Sequence, residues 1–240
     1  MTESEWNGFK RIDFDFEGMP AILVFPSDNN KSDKWLLKTE YFNAFPDFEI
    51  EMLKRGFHLA YLKNITRWCM DEDIVRKKRF AEFLHNEYGL YKKCVPVGMS
   101  CGGMIAVKFA AAYPECVSAL YLDAPVMNLL SCPANFGIAT GDMFEEFMRD
   151  RHMTLSELIC YRGHPMDLVP KLSEKNIPVI LVYGKDDDTV PYCENGKMLT
   201  DYYTAHGNTL VLIGKDNCKH HPHSLTDCTP IIDFVLKYSN

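Results

Sequence analysis

Three short stretches of the chain contain side chains that could carry out a reaction. Residues 98–102 read GMSCG, residues 185–191 read KDDDTVP, and residues 216–223 read DNCKHHPH. A serine hydroxyl is a weak nucleophile at neutral pH, so it needs a histidine to accept its proton and an acid to orient that histidine. The chain offers these groups in the order Ser, Asp, His, which predicts acyl transfer through a covalent intermediate.

Ser100 is the predicted nucleophile. It lies in a G-x-S-x-G pattern between a short apolar run, KCVPV at 93–97, and a helix-like run, GGMIAVKFAAAYP. A sharp strand-to-helix turn projects the hydroxyl above the sheet, and flanking glycines let the turn close without clashes. We expect the backbone N–H of Cys101 to point at the oxyanion, near a helix N-terminus that favours negative charge. The alternative is a simple glycine-rich turn.

The orienting acid is predicted in the acidic run that follows the apolar stretch IPVILVYG at 177–184. A carboxylate there stands at the carboxyl end of a strand, on the same edge of the sheet as Ser100. Asp187 is preferred for its place three residues past Gly184 and three before Val190. The alternative, a solvated acidic loop, is expected to hold for at least one of Asp186 and Asp188.

The base is predicted in the loop after the last strand, where three of the eight histidines occupy four positions. We prefer His220, with His221 and then His223 as alternatives, to take the proton of the serine while its other nitrogen bonds to the acid. A rival interpretation is a metal site that also uses Asp216 and Cys218. Adjacent histidines generally point in different directions and no second ligand cluster is evident, so we expect no metal and no cofactor.

Alternating strand and helix patterns place these stretches in an α/β fold. Residues 9–16 alternate, EGMP forms a turn and AILVF follows, which predicts an antiparallel hairpin. Apolar strands separated by helices then predict a parallel sheet covered on both faces. The predicted strands are 34–38, 57–62, 93–97, 117–123, 177–184 and 209–214. The predicted helices are about 46–55, 71–89, 102–113, which stops before Pro114, and 229–238.

Residues 126–170 interrupt this alternation. They contain one or two short helical patterns and no convincing strand, and they follow a predicted strand at the carboxyl edge of the sheet. A lid over a ligand-binding crevice would lie there. We expect Trp35, Tyr41 and the methionine-rich insertion to form walls of the pocket, although apolar residues of these types are more often found in the core.

Composition limits the class of protein. The 240 residues are 47% hydrophobic and 25% charged, which is ordinary for a single globular domain spanning 1–240. A net charge of −7 argues against a nucleic-acid or anionic-membrane partner. Nine cysteines without disulfide or metal spacing, no signal-peptide pattern and no apolar run of membrane-spanning length predict a cytoplasmic protein with reduced thiols. The odd cysteine could instead be a reactive thiol.

With the three stretches in this order, the chain resembles the α/β-hydrolase superfamily over nearly its whole length. More narrowly, it is similar to bacterial α/β hydrolases described as prolyl-oligopeptidase-like or acetyl-xylan-esterase-like, which end in a GHHPHSL-type loop. The resemblance implies Ser100 as nucleophile, Asp187, at the offset usual for this fold, as acid, and His220 as base. The matching stretches are FHLAYL, VGMSCGGMIAVKFAAAYPECVSALYLDAPV, PVILVYGKDDDTVPYCEN and HHPHSLTDCTPIIDF.

Two positions depart from the pattern of these relatives. Lys219 stands where such loops usually have glycine, which leaves the choice of histidine open. The stretch KTEYFNAF lacks the HGGG pattern that supplies an oxyanion donor in lipases and esterases. We expect the second donor to be the backbone N–H of Glu40 or of Thr39. The Glu40 carboxylate could instead face the pocket and select against anionic substrates, or be solvated.

The sequence therefore predicts a serine hydrolase that cleaves a small carboxylic ester through an acyl-enzyme, without a cofactor. The resemblance implies a carbohydrate acyl ester, such as an acetyl group on a sugar. A small-peptide hydrolase is the first alternative, although 240 residues leave no room for the propeller domain of prolyl oligopeptidases. A thioesterase and a ligand-binding protein that keeps the fold without turnover are the others.

Overall fold

A computed structural model describes residues 1–27, 29 and 31–239. Within these residues nine strands form one sheet, in the order β1-β2-β3-β5-β4-β6-β7-β8-β9. The strands are β1 Thr2–Trp6, β2 Phe9–Phe16, β3 Met19–Val24, β4 Trp35–Lys38, β5 His58–Leu62, β6 Val95–Met99, β7 Leu120–Asp123, β8 Val179–Gly184 and β9 Leu210–Lys215. The α-helices are α1 Asp47–Lys54, α2 Asp71–Tyr88, α3 Cys101–Ala112, α4 Phe144–Arg151, α5 Leu155–Cys160, α6 Val169–Glu174, α7 Gly196–His206 and α8 Thr229–Tyr238.

The N-terminal third of the sheet is antiparallel. The predicted hairpin is present as β2 and β3, and β3 then pairs antiparallel with β5. An additional strand, β1, pairs with β2 along the edge and is exposed at all but its last residue. This strand is not among the predicted ones, because TESEW has no apolar alternation.

The remaining strands, from β5 through β4, β6, β7 and β8 to β9, pair in parallel. Strands β4, β6 and β7 are buried at every residue, as expected for strands covered on both faces. One apolar layer lies between the sheet and helices α2, α3, α6 and α7, and the other lies between the sheet and helices α1 and α8. The predicted mostly parallel sheet with helices on both faces is confirmed.

Parallel strands bring their carboxyl ends to one edge of the sheet, and the loops that follow β4, β6, β8 and β9 meet there. The segment between β7 and β8 contains α4, α5 and α6 and no strand within the described residues. Helix α7, between β8 and β9, lies in a stretch to which the sequence analysis assigned no element.

Two further observations concern the chain as a whole. No helix among the described residues has both the length and the apolar character that crossing a bilayer requires. All nine cysteines lie in the described part of the chain and are free thiols, seven of them buried; only Cys160 and Cys193 are exposed.

Candidate active site

Ser100 occupies a strained turn between β6 and α3. Its φ of 53° and ψ of −120° put a non-glycine residue in a sparsely populated conformation. Two backbone hydrogen bonds hold Ser100 in this conformation. Ser100 N–H donates to Asp123 O at 2.9 Å, and Ser100 O accepts from Val126 N–H at 3.1 Å. Glycine is required beside it, because a Cβ at Gly98 would lie 2.6 Å from the carbonyl oxygen of Gly102.

The structure brings Ser100, Asp187 and His220 together. The Nε2 atom of His220 lies 3.0 Å from Ser100 Oγ, and its Nδ1 atom lies 2.8 Å from Asp187 Oδ2. The other carboxylate oxygen of Asp187 accepts from the backbone N–H groups of Thr189 and Val190, each at 2.9 Å. The aspartate is therefore fixed from both sides, and the histidine that it holds faces the serine.

The loop that contains the three aspartates (the acidic loop, 185–191) and the loop that contains the three histidines (the histidine loop, 216–223) contact each other directly. Asp186 N–H donates to Cys218 O at 3.0 Å, and Lys219 Nζ bonds to Asp188 Oδ2 at 2.7 Å. Gly184 is needed at the end of β8, because a Cβ there would lie 2.1 Å from Lys219 O. Of the three consecutive aspartates, Asp186 is exposed and Asp188 is half-buried against the lysine. Only Asp187 is buried toward the histidines.

A second histidine–carboxylate pair lies beside the first. His223 Nδ1 is 2.9 Å from Asp123 Oδ1, and both side chains are almost fully buried. The other oxygen of Asp123 accepts from Ser224 N–H at 2.6 Å and from Tyr121 OH at 3.2 Å. Asp123 ends β7, next to the strand that carries Ser100, so both carboxylates come from strand ends at the same edge.

His221 completes a cluster of three imidazoles, which we call the histidine cluster (His220, His221 and His223). The ring centroids are 4.8–4.9 Å apart, and one nitrogen of each ring lies within 4.8 Å of the others. His221 is exposed on one side and stacks on Phe45. Partial burial, and then the neighbouring rings, lower the pKa of His221.

The expectation that the adjacent histidines point in different directions is therefore wrong. The other two members of the rival metal site lie elsewhere. The carboxylate of Asp216 is exposed and pairs with Lys185 at 2.6 Å. The thiol of Cys218 is buried against backbone carbonyls of its own loop, including that of Lys219 at 3.3 Å.

The loop after β4 lies against the first turn of α3. A Cβ at Gly102 would lie 3.1 Å from Thr39 Oγ1 and 3.4 Å from the Glu40 nitrogen. The amide of Thr39 is already used, because it donates to Val97 O at 3.1 Å in the sheet. The structure describes no acceptor for the Glu40 amide. Of the two candidates for a second oxyanion donor, only Glu40 has a backbone N–H available.

The Glu40 carboxylate does not line the pocket. It accepts from Asn64 Nδ2 and lies 3.5 Å from Tyr61 OH, behind the loop. Asn64 also donates to Thr39 O at 2.8 Å and is itself bonded by the buried Lys77. Burial lowers the pKa of Lys77 to about 8. The alternative in which the Glu40 carboxylate faces the pocket is not what the structure shows, because the carboxylate belongs to this polar chain, Lys77–Asn64–Glu40, and is absent from the cavity lining.

A cavity of about 300 Å³ opens in front of Ser100. Tyr41 lines it, as does Met143 of the methionine-rich insertion. Trp35 does not: it is 1% exposed within the core, and its Nε1 donates to Tyr91 O at 2.8 Å. The expectation for Trp35 was wrong because the side chain points from β4 into an apolar layer. The lining residues are Tyr41, Ala44, Phe45, Arg67, Ser100, Met143, Thr189, His220, His221 and His223.

Arg67 connects the cavity to helix α4. Its Nε atom donates to Glu146 Oε1 at 2.7 Å and its second nitrogen bonds to Oε2, while Trp68 Nε1 donates to the same carboxylate at 3.1 Å. Burial opposes the charge of Arg67, but bonds to Glu146 and to the Tyr41 hydroxyl raise its pKa. Burial also raises the pKa of Tyr41, with the Cys101 thiol beside it adding to the rise. Both groups keep their protons at neutral pH.

Cys101 follows the serine directly, yet its thiol is not prepared for chemistry. The residue is 1% exposed, and burial raises its pKa to about 11. Because the thiolate is the reactive form of cysteine, Cys101 is a poor nucleophile at neutral pH. Its backbone N–H, at the first turn of α3, has no acceptor within the helix and lies beside Ser100.

Comparison with known proteins gives the fold. No family model matches the chain, and no curated protein does. A solved protein assigned as a dipeptidyl aminopeptidase IV from Bacteroides ovatus superposes with a TM-score of 0.70 at 14% sequence identity. The match covers 98% of this chain and 35% of the Bacteroides ovatus chain. The acylaminoacyl peptidase of Pyrococcus horikoshii superposes with a TM-score of 0.69 at 14% sequence identity. The match covers 90% of this chain and 40% of the peptidase chain. The chain has the α/β-hydrolase fold and spans well under half the length of these two proteins.

Sequence reasoning missed two polar residues of this site. Asp123 ends a strand next to the serine strand, and that position could have been found by the same strand-end argument that selected Asp187. Arg67, in NITRWCM, follows the end of β5 at the same edge. Its role as a cavity wall depends on its pairing with Glu146, which is 79 residues away, and no local pattern shows such a contact.

Proposed function

We propose that this protein is a serine hydrolase that cleaves a small carboxylic ester through an acyl-enzyme intermediate. The observation that carries the proposal is the pair of contacts made by His220, 3.0 Å to Ser100 Oγ and 2.8 Å to Asp187 Oδ2. Nucleophile, base and orienting acid within hydrogen-bond reach are what attack by a serine requires.

In the proposed reaction, His220 Nε2 takes the Ser100 proton while Oγ attacks the ester carbonyl. Asp187 holds the ring in the tautomer that has its proton on Nδ1 and stabilises the imidazolium that forms. The protonated ring then gives its proton to the leaving alkoxide. Water, deprotonated by the same nitrogen, attacks the acyl-enzyme, and the acid leaves as Ser100 regains its proton.

The negative charge on the tetrahedral intermediate needs fixed donors. We assign these to the backbone N–H groups of Cys101 and Glu40, because the 39–40 loop lies against Gly102, the residue that follows Cys101. The N-terminus of α3 adds a favourable dipole for an anion. One lost donor of this kind typically costs about 10²–10³ in kcat.

The size of the cavity supports a small substrate. At about 300 Å³ it lies at the lower end of the range for ligand sites. The resemblance seen in the sequence supports a carbohydrate acyl ester, in particular an acetyl ester, as the substrate. A short peptide is the second candidate, because the two solved proteins compared above are described as peptidases. A thioester would use the same steps.

The test is turnover of a panel that contains p-nitrophenyl acetate, acetylated sugars, an acyl thioester and dipeptide p-nitroanilides. We expect the esters to be cleaved fastest, and Ser100→Ala to lower kcat by about 10⁴–10⁶. Ser156→Ala, on the exposed surface of α5, is the matched control and should behave as wild type.

Labelling with a fluorophosphonate, followed by peptide mapping, separates an enzyme from a binding protein that only shares the fold. Modification should occur at Ser100 and disappear in the alanine variant. A chain that takes no label and turns over none of the four classes is not a serine hydrolase, and faster cleavage of the anilides than of the esters would replace the esterase with a peptidase.

A further inference from the structure

The histidine cluster has a property that the proposed hydrolysis does not use. Hydrolysis needs one imidazole, yet three present nitrogens that all lie within 4.8 Å of one another. Around a tetrahedral zinc ion at about 2.0–2.1 Å, ligand nitrogens lie about 3.4 Å apart. Each nitrogen-to-nitrogen distance in the cluster would therefore have to shorten by at most about 1.4 Å for the rings to bind one ion. His221 is exposed and lies on a loop, so its ring can move toward the other two, while His220 and His223 would close the distance between their own nitrogens by turning on their carboxylates.

Two of the three rings are already oriented as metal ligands usually are. Metal-binding histidines generally donate their second ring N–H to a carboxylate, which fixes the tautomer and leaves the other nitrogen free to bind. The Nδ1 atoms of His220 and His223 are 2.8 and 2.9 Å from Asp187 and Asp123. Each of these rings then presents Nε2 as its remaining nitrogen.

The charges around the cluster also favour a cation. Two buried carboxylates, Asp187 and Asp123, lie directly behind it. Two of the positive side chains at this edge are paired with other acids, Arg67 with Glu146 and Lys219 with Asp188. Lys215 bonds instead to the backbone carbonyl oxygens of Pro222 and Ser224, on the loop that carries the cluster. Imidazole nitrogens suit zinc, copper and nickel.

We propose that His220, His221 and His223 bind one divalent transition-metal ion such as Zn²⁺, and that the bound ion inhibits the enzyme. The ion takes Nε2 of His220 and of His223 and one nitrogen of His221, and the cavity leaves room for a water as the fourth ligand. Three histidines and one open position form a complete zinc site in proteins.

Inhibition follows because the ion binds the same His220 nitrogen that the proposed hydrolysis uses as its base. His220 Nε2 is the nitrogen 3.0 Å from Ser100 Oγ, and its single lone pair cannot bind a metal and accept a proton at the same time. This half of the inference rests on the proposed function, whereas metal binding does not. Removing the ion with a chelator should restore the base, since no bond of the protein is broken.

The binding test is calorimetric titration of the full chain with ZnCl₂. Cys160 and Cys193, the exposed thiols, are first replaced by serine in every variant so that they cannot supply the ligands. We expect one ion per chain. His221→Ala and His223→Gln should each weaken zinc binding by at least about tenfold. Removing a residue that only hydrogen-bonds to a metal ligand already costs about tenfold or more in affinity, and these two changes remove ligands themselves.

His206→Ala is the matched control, because His206 is exposed on α7 and lies outside the cluster. Its zinc affinity should equal that of the parent. His221→Ala removes an exposed side chain, so loss of zinc binding there does not depend on whether the variant at the buried His223 folds. Equal affinity in the parent and in His221→Ala, or no saturable binding in the parent, would overturn the site.

The inhibition test compares the zinc dissociation constant with the zinc concentration that halves ester turnover, and the two should agree within about twofold. EDTA should restore full activity. Ser100→Ala should still bind zinc, because the site does not use the serine. If the wild-type chain binds zinc but never turns over substrate, the metal site stands and the proposed hydrolase function is refuted. Saturating zinc that leaves turnover unchanged would overturn the inhibition.

Discussion

Two histidine–aspartate pairs lie side by side at the carboxyl edge of this sheet, and they are nearly the same in construction. His220–Asp187 and His223–Asp123 are closed by Nδ1-to-carboxylate contacts of 2.8 and 2.9 Å. In each pair the second carboxylate oxygen also accepts hydrogen bonds, from the backbone N–H groups of Thr189 and Val190 for Asp187, and from the Ser224 N–H and the Tyr121 hydroxyl for Asp123. They differ in what the other ring nitrogen meets: His220 meets Ser100 Oγ, and the structure describes no such bond for His223.

The comparison shows that a histidine held by a buried carboxylate is not by itself a general base. Such a pair can act as a base only where its free nitrogen reaches a nucleophile, and of these two rings the structure describes that contact for His220 alone. The second pair has a structural use instead. It ties the histidine loop to the end of β7, and the amide of Ser100 donates to the backbone of the same aspartate.

The largest expected effect separates the two histidines by activity. His220→Ala should lower kcat by about 10⁴–10⁶, because it removes the proton acceptor. His223→Gln should lower it by no more than about 10², the cost of a small misplacement of the loop. Steady-state kinetics on p-nitrophenyl acetate measures both. Equal losses in the two variants would mean that the pairs act as one unit.

The next effect separates the pairs by stability. Asp123→Ala leaves the ring of His223, the amide of Ser224 and the hydroxyl of Tyr121 without their acceptor, so we expect unfolding to become easier by about 3–5 kcal/mol. Urea denaturation measures this. Asp216→Ala, which removes an exposed ion pair, should change stability by less than about 0.5 kcal/mol. A small loss for Asp123→Ala would show that the second pair does not hold the loop.

The smallest effect tests whether the rings influence each other. Burial is the main reason that the pKa of His221 is lowered, and repulsion by the neighbouring rings is the next. Removing a neighbour that can carry positive charge should therefore raise the pKa of His221 in His223→Gln. An NMR titration of the imidazole signals measures it, with His206→Ala as the control. An unchanged value would mean that the rings titrate independently.

Much of this arrangement could be predicted from local pattern. The buried strands and the helices that flank them are strongly apolar or periodic, and most of the predicted elements lie within a few residues of the observed ones. Strand β1 and helix α7 were missed. TESEW is a polar edge strand that gains its order from pairing with β2, and such strands have no periodic signal.

The site was predictable as far as strand ends could place it. Ser100, Asp187 and His220 each follow a strand of the parallel sheet, so topology alone brings them to one edge. Spacing from Gly184 and Val190 selected Asp187 among the three aspartates, whereas the choice among the three histidines depends on side-chain direction, which spacing does not encode. Trp35 shows another limit: it begins β4, at the amino end of the strand and away from the edge that carries the site, and its ring packs in the core.

The polar chain behind the 39–40 loop has a consequence for selectivity. Lys77 bonds to Asn64, and Asn64 bonds both to the carbonyl of Thr39 and to the carboxylate of Glu40. The amide of Glu40 is thus aimed before any ligand arrives, and the entropy of ordering this loop is lost when the chain folds. In the proposed hydrolysis, discrimination among acyl groups then falls to other walls of the cavity, such as Met143 and Arg67, rather than to an adjustment of the loop.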